Sequence, residues 1–365
     1  MASLVGSRVE RKEDKRFLTG KGRYTADINL ANQTYAIFVI GEDSSDILSI
    51  KKELSSVCRK IYRLKGPRMF NIFSYIKLQK IIRNNSYDVI HSHQPRSDFM
   101  VYLLKKYLFS DNLFKWIVSI HGKYDSYLNN NIQKKFKLYF FKKLVKSWNT
   151  ADEVIVISNE VKSWLASHSK LVKPHVINYW ISLKGYKPVD LNSSVNIGFL
   201  GRLNKNKGIE DLIESLNEVD LDFNLSIGGF GTENYINFLK QKMNENVLKR
   251  SNFLGYVEDQ SKFFENIDIF VFPSYSEGLG LVLLEAMSYQ KICITRNVEP
   301  MNQFINDENG YLFNNTDDLK QCILEASKDL NNEEVINEKI HNLKKVLEIY
   351  DIKNVFPKIL EVYNL

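Results

Sequence analysis

The sequence predicts an α/β protein with two Rossmann-like domains, each built on a parallel sheet, and three observations carry that prediction. From Tyr35 onward, short apolar runs of strand length alternate with longer segments whose apolar residues recur at helical spacing. The apolar run Ile267-Asp268-Ile269-Phe270-Val271-Phe272 leads directly into a glycine-bearing loop and then the apolar opening of a helix, Leu281 to Met287. At 365 residues and 44% hydrophobic content, the chain is large enough to bury two cores.

Composition narrows the class further. Cys58, Cys293 and Cys322 lie far apart without a C-x-x-C pair, which fits reduced thiols rather than a disulfide framework or a zinc site. No apolar run approaches the ~20 residues of a membrane span, and no signal-peptide core opens the chain. The expected location is the cytoplasm, with a peripheral position on the inner face of a membrane as the finer expectation. The net charge of +7 is concentrated: Val101 to Trp148 holds ten lysines against Asp111 and Asp125.

Residues 1–34 stand apart as a polar, charged segment. The run from Ser7 to Tyr24, with Arg16-Phe17-Leu18-Thr19-Gly20-Lys21-Gly22-Arg23-Tyr24, resembles the opening of the large subunit of molybdenum hydroxylases. That likeness stops near Tyr35–Val39, so a junction of two unrelated sequences is expected there. Ala36–Ile40 then reads as a strand, Asp43–Ser56 as a helix, Arg59–Leu64 as a short strand and Phe70–Asn84 as a helix. Tyr87–His91 is a strand leading into His91-Ser92-His93, and Trp116–Ile120 is a strand leading into His121-Gly122. Both histidine clusters are expected at strand carboxyl ends, where open α/β sheets build their sites. A structural role for each histidine is the competing reading. No acidic residue lies close enough in sequence to complete a metal set, and a metal is rejected.

Ile132–Trp148 places Lys134, Lys135, Lys137, Lys142, Lys143 and Lys146 among apolar residues. Such a basic amphipathic helix suits an anionic lipid surface. A core-packed helix with a solvated lysine face fits the same pattern, and no nucleic-acid motif accompanies it. Asp152–Ser158 closes the first sheet, Val176–Tyr179 follows, and Lys184–Ser194 reads as a polar linker. Val195–Arg202 opens the second domain as a strand that delivers Arg202 into a loop, with Lys207 just before the next helix. Arg as a two-pronged fork and Lys as a point charge suit a diphosphate. Asn224–Gly228 is a strand ending in Gly228-Gly229-Phe230-Gly231.

The corner Pro273 to Ala286 organises the rest. Proline ends the strand, Ser274 to Gly280 form the loop, and a helix N-terminus follows, which is a standard anion site. Glu277 and Glu285 bracket it; eight residues of helix rise roughly 12 Å, which puts the two carboxylates about 10 Å apart along the axis. Each carboxylate can hold a vicinal diol, and phosphates would lie between them.

Pro273-Ser274, Glu277-Gly278 and Glu285-Ala286-Met287 resemble the E-x7-E signature of retaining GT-B glycosyltransferases of group 1, family four. Arg202-Leu203 followed by Lys207-Gly208, Gly228–Gly231, Phe253–Val257 and Asn309–Phe313 resemble other blocks of that family in the same order, across roughly residues 36–365. The resemblance implies parallel sheets facing a central cleft and transfer of a sugar from a nucleotide-sugar to a glycan or lipid-linked hydroxyl, with retention. It implies catalytic roles for Glu277, Arg202, Lys207 and His121. Donor-binding roles fall to Glu285, Gly278, Leu279, Gly280, Gly201, Tyr256 and Val257. No cofactor or metal is implied. The family's Gly-Gly loop has only Gly41 as a counterpart, and Glu299-Pro300-Met301 stands where the family carries another glycine loop that touches the donor sugar. Those departures keep two alternatives open, a nucleotide-sugar-binding protein without turnover and a GT-B epimerase or phosphorylase. The expected division is 1–34 as an atypical segment, 35–185 as acceptor domain, 186–345 as nucleotide-sugar domain, and 346–365 as a helix returning to the first domain.

Overall fold

The computed structural model describes residues 36–41, 60–65, 72–85, 87–109, 113–124, 134–181, 183–184 and 194–363. The molybdenum-hydroxylase-like segment, the helix expected at 43–56 and the start of the basic helix at 132–133 lie outside them. The chain divides into two compact units, one ending at Tyr179 and resuming at Phe356, the other running from Trp180 to Val355.

In the first unit, β1 (Ala36–Gly41) pairs in parallel with β2 (Lys60–Lys65). Four more strands, β3 (Val89–His93), β4 (Lys115–Ile120), β5 (Glu153–Val156) and β6 (His175–Val176), form a parallel sheet in that order. Helices α1 (Ile72–Asn85), α2 (Pro95–Leu108), α3 (Lys134–Trp148) and α4 (Asn159–His168) connect them. Trp116, Ile117, Val118 and Ile120 of β4 are fully buried, as expected for a central parallel strand covered on both faces. Ser158 caps α4 by accepting from the Val161 N–H at 3.2 Å.

Strand β3 corrects the expected boundary. It extends to His93, two residues beyond the expected end, so Ser92 and His93 lie in the strand and not after it. Ile90 and Ser92 are buried, while His91 and His93, two residues apart, share the opposite and partly exposed face. Helix α1 also differs from its apolar pattern: Leu78, Ile81 and Ile82 are buried, but Phe73 is 78% exposed and Ile76 is 43% exposed.

The second unit is built on β7 (Val195–Leu200), β8 (Phe223–Gly228), β9 (Ser251–Gly255), β10 (Ile269–Phe272), β11 (Ile292–Arg296) and β12 (Tyr311–Phe313). All pair in parallel, in the spatial order β9-β8-β7-β10-β11-β12. Helices α5 (Ile209–Asn217), α6 (Glu233–Lys242), α7 (Glu245–Lys249), α8 (Gln260–Glu265), α9 (Leu281–Ser288), α10 (Thr316–Asp329), α11 (Glu333–Glu348) and α12 (Ile352–Tyr363) complete the chain. Helix α5 shows the logic of the layer. Ile209, Leu212, Ile213 and Leu216 fall at i, i+3, i+4 and i+7 and are all buried, while Glu210 and Asp211 in the first turn favour its N-terminus. The strand order reverses between β7 and β10. At such a switch point the loops leave in opposite directions and open a crevice at the carboxyl edge.

Candidate active site

The crevice is framed by the loops that follow β7 and β10. After β7 come Gly201, Arg202, Leu203 and Asn204, a 3-10 turn over Lys205–Lys207, and Gly208. After β10 come Pro273 to Gly280 and then α9. Two hydrogen bonds lock the loops: the Tyr275 N–H donates to the Asn206 carbonyl at 3.0 Å, and the Asn206 side-chain amide donates to the Ser276 carbonyl at 3.4 Å. Gly208, at φ 65°, closes the contact, because a Cβ placed there would stand 2.0 Å from the Pro273 carbonyl oxygen. Only glycine fits a left-handed residue against a neighbouring backbone at that range.

The glycine loop after β8 is held to the same edge. The Gly201 N–H donates to the Gly228 carbonyl at 3.0 Å, and the Leu203 N–H to the Phe230 carbonyl at 2.9 Å. The Gly229 N–H donates to the Gly255 carbonyl at 2.6 Å. Phe230 and Tyr256 stand with ring centroids 6.0 Å apart and partly exposed, side by side at the ends of β8 and β9. This pair offers a flat apolar surface of the kind a nucleotide base stacks on.

The expected charged residues converge at the switch point. Lys207 is buried, and its ammonium donates to Glu277 Oε1 at 2.6 Å, so Glu277 is held across the crevice from the β7 loop. Arg202 is partly buried, with its Nε–H enclosed and joined to no acceptor among the described residues. The Ser274 hydroxyl is likewise enclosed and unpartnered. An enclosed guanidinium N–H without an acceptor is costly unless a ligand supplies one. Gly280, at φ 79°, starts α9, and its carbonyl accepts from the Leu283 N–H at 2.9 Å. The first turn of α9 holds no acidic residue, so its positive dipole end is not offset locally. Glu285 falls one turn further on. Because Glu277 precedes the helix, the rise of about 10 Å expected between the two carboxylates does not apply, which corrects the sequence estimate. Gly278, Leu279 and Gly280 occupy the loop as expected, and a Cβ on Gly280 would lie 3.9 Å from the Met301 side chain. The departing Glu299–Met301 segment therefore reaches the start of α9.

One network escaped sequence reasoning. The buried Arg296 guanidinium at the end of β11 pairs with Asp211 of α5 and donates to the Pro273 and Asn314 carbonyls, each at 3.3 Å. Its guanidinium carbon lies 4.1 Å from the Tyr275 ring centre, and the Tyr275 hydroxyl donates to Asp211 at 2.7 Å. Burial and the Asp211 carboxylate raise the Tyr275 pKa above its ordinary value. The network fixes the loop that carries Glu277 from beneath.

In the first unit three imidazoles gather at the carboxyl edge. His93 Nδ1 and His121 Nε2 share a hydrogen bond of 2.9 Å, and His121 Nδ1 bonds the Tyr179 hydroxyl. His91 bonds Ser119 Oγ at 2.8 Å through Nε2 and the Tyr363 hydroxyl through Nδ1. Burial lowers the His93 pKa to about 4. Burial, followed by the neighbouring imidazoles, holds His91 and His121 well below 6.5. All three are neutral at pH 7. Among the described residues, no group of three or more histidine, cysteine or acidic side chains is arranged to hold a metal.

Helix α3 resolves the two readings of the basic segment at its described side chains. Phe140, Phe141, Leu144, Val145 and Trp148 are buried in the unit's core, while Lys142, Lys146, Tyr139 and Leu138 are exposed. The apolar face is committed to the fold, as in the core-packed reading, which leaves the lysine face for any contact with a lipid surface. Among the described residues, no helix is long and apolar enough to cross a membrane.

With this geometry in place, likeness to known proteins decides the family. Residues 192–343 match the family described as glycosyl transferases group 1, and residues 28–184 match glycosyltransferase family 4. An uncharacterized glycosyltransferase of Methanocaldococcus jannaschii is 30% identical over 288 residues, which is 75% of this chain and 76% of that protein. The chain belongs to the group 1 glycosyltransferases. The capsular polysaccharide biosynthesis glycosyltransferase CapM of Staphylococcus aureus is 32% identical over 244 residues, 59% of this chain and 61% of CapM. The chain thus spans less than two thirds of that relative's length. Among solved structures, HepE of Anabaena in complex with UDP superposes with a TM-score of 0.73 at 15% identity, covering 90% of this chain and 91% of that one. Sucrose-phosphate synthase of Thermosynechococcus elongatus gives 0.68 at 21% identity, covering 85% and 83%. These structures share the fold, and the α/β GT-B class expected of this glycosyltransferase is the one observed.

Proposed function

We propose that this glycosyltransferase moves a sugar from a nucleotide-diphosphate donor to a hydroxyl of a glycan or lipid-linked acceptor, with the anomeric configuration retained. The observation that carries the reading is the enclosed, unpartnered Arg202 Nε–H at the switch point, beside the Lys207–Glu277 pair and the start of α9. In this reading Arg202, Lys207 and the helix dipole take up the charge that develops on the departing diphosphate. Glu277 holds the donor sugar's hydroxyls, Glu285 the ribose, and Tyr256 with Val257 flank the base. The loop backbone at Gly201, Gly278, Leu279 and Gly280 lies against the donor. No metal or cofactor takes part. The capsule relative CapM and the O-antigen biosynthesis glycosyltransferase WclY of Escherichia coli support a surface-glycan acceptor. Lys142 and Lys146 would meet anionic lipid by charge and not by insertion, a cytoplasmic enzyme thereby reaching a lipid-linked acceptor. No nucleic acid is involved.

Calorimetry with UDP, GDP and ADP tests donor recognition. One nucleotide is expected to bind the wild type and to bind Arg202→Ala at least tenfold more weakly; equal affinity in the two proteins would place the diphosphate elsewhere. Proton NMR of the first-formed product then reads the anomeric configuration, and an inverted product would overturn retention.

A further inference from the structure

Strand β11 ends in two side chains that take over where its backbone ladder stops. The parallel pairing of β10 with β11 runs as far as Phe272 and Thr295, and Pro273 beyond it has no N–H to give. The next carbonyls are met by side chains. The Thr295 hydroxyl donates to the Phe272 carbonyl at 2.9 Å, and the Arg296 Nε–H donates to the Pro273 carbonyl at 3.3 Å. Thr295 is fully buried and Arg296 is 7% exposed. The rest of the guanidinium reaches the neighbouring loops: Nη1 donates to the Asn314 carbonyl and Nη2 pairs with Asp211. Its carbon lies within cation–π range of two rings, 4.1 Å from the centre of Tyr275 and 4.8 Å from that of Phe313. Tyr275 is thereby held at three points, by its ring on Arg296, its hydroxyl on Asp211 and its N–H on the Asn206 carbonyl. It stands two residues before Glu277.

We propose that Arg296 is a positioning residue for the transfer: through Tyr275 it sets the place of the Glu277 carboxylate, without touching substrate itself. The inference rests on the sugar-transfer reading above. Stability alone gives little reason for a guanidinium here. Burying an ion pair costs desolvation that apolar side chains of similar volume avoid, and such replacements often leave a fold as stable or more so. What apolar residues cannot supply is direction. A planar fork fixes the Pro273 and Asn314 carbonyls and the Asp211 carboxylate at set angles, and a ring stacked on that fork is fixed with them. With Pro273 and Tyr275 both held, the chain reaches Glu277 in two residues, and its carboxylate meets Lys207 at 2.6 Å.

Three variants separate positioning from stability. Arg296→Met leaves Asp211 without its cation and is expected to melt below wild type. Arg296→Met with Asp211→Leu removes that charge as well and is expected to melt above the single variant, near wild type. With the cognate donor and acceptor, both are expected to lose about 100-fold in kcat/KM, the scale of a group misplaced near the reacting atoms. Arg296→Lys keeps a cation opposite Asp211 but not the fork, and should hold the fold while losing about tenfold. Affinity for the free nucleotide, by calorimetry, should stay within about twofold of wild type in all three, since Arg202 and the start of α9 lie outside the network. A clamp that serves stability alone predicts that activity returns with the melting temperature in the double variant, and that result would overturn the proposal. Hydrogen exchange gives a readout without turnover. The peptide carrying Tyr275 to Gly280 should exchange faster in the double variant than in wild type, with the strands of the sheet unchanged; equal exchange in that peptide also overturns the proposal. A wild type that binds a nucleotide-sugar but releases nucleotide from no donor sinks the transfer reading and the positioning role with it. A wild type that turns over beside a fully active double variant sinks the positioning role alone.

Discussion

At the scale of one residue the proposed transfer turns on Arg202, whose enclosed Nε–H meets no acceptor among the described residues. Arg202→Ala should lower kcat/KM by about 10²–10³-fold, the cost of losing one preorganised donor to developing charge. Thermal unfolding should stay within about 0.5 kcal/mol of wild type, since no hydrogen bond within the fold is removed at Nε. Steady-state kinetics beside a melting curve checks both. The positions of Lys207 and Glu277, which the fold joins, were legible because each lies in a short local pattern of strand end, loop and helix start. Arg296 was not legible: its partner Asp211 is 85 residues away, and nothing local marks an arginine closing an apolar strand as a clamp. The histidines make a pH prediction at the same scale. His93 has a folded pKa of about 4 against 6.5 for the unfolded chain, so between those values the unfolded chain binds more protons. Stability is therefore expected to be complete above about pH 6.5 and to fall as pH drops toward 4. His93→Gln should flatten that slope in urea titrations run across the window.

The loops that frame the crevice set the limits at the element scale. Gly208 holds the start of α5 against the carbonyl that ends β10, and a methyl group there meets backbone at 2.0 Å. Gly208→Ala should cost at least about 2 kcal/mol and lower the melting temperature by roughly 4–8 °C. A variant melting within a degree of wild type would show that the two loops are not in contact. Strand and helix types were readable throughout the described chain because apolar period and glycine punctuation agree. The end of β3 was not, since Ser92 and His93 read as polar loop residues although they continue the ladder beside Ser119. Helix α3 was readable as amphipathic, but its pattern could not say whether lipid or protein covers the apolar face, because both bury the same residues. With Phe141, Leu144 and Trp148 inside, only charge remains for a membrane. Lys142→Glu with Lys146→Glu should abolish co-sedimentation with vesicles of phosphatidylglycerol and phosphatidylcholine while leaving nucleotide affinity unchanged. Undiminished sedimentation would exclude α3 as the docking element.

Each of the two units of the whole molecule has a parallel sheet, and in the second the strand order brings β7 and β10 side by side so that residues about seventy positions apart meet. That juxtaposition turns Lys207 and Glu277 from two sequence motifs into one site. It was legible only through resemblance, because spacing along the chain does not specify which strands are neighbours. The first unit resembled the family more thinly, and there the sequence pointed to His121, which the fold joins to His93 by a hydrogen bond of 2.9 Å. On the proposed reading the switch-point site catalyses transfer and does not merely bind a nucleotide-sugar. Nucleotide release from a panel of UDP-, GDP- and ADP-sugars, with membrane extract as acceptor, tests it most directly. Acceptor-dependent release is expected from one donor in the wild type and from none in Arg202→Ala or Glu277→Ala. Donor binding by calorimetry with no release from any donor would contradict the account and leave a binding protein in place of an enzyme.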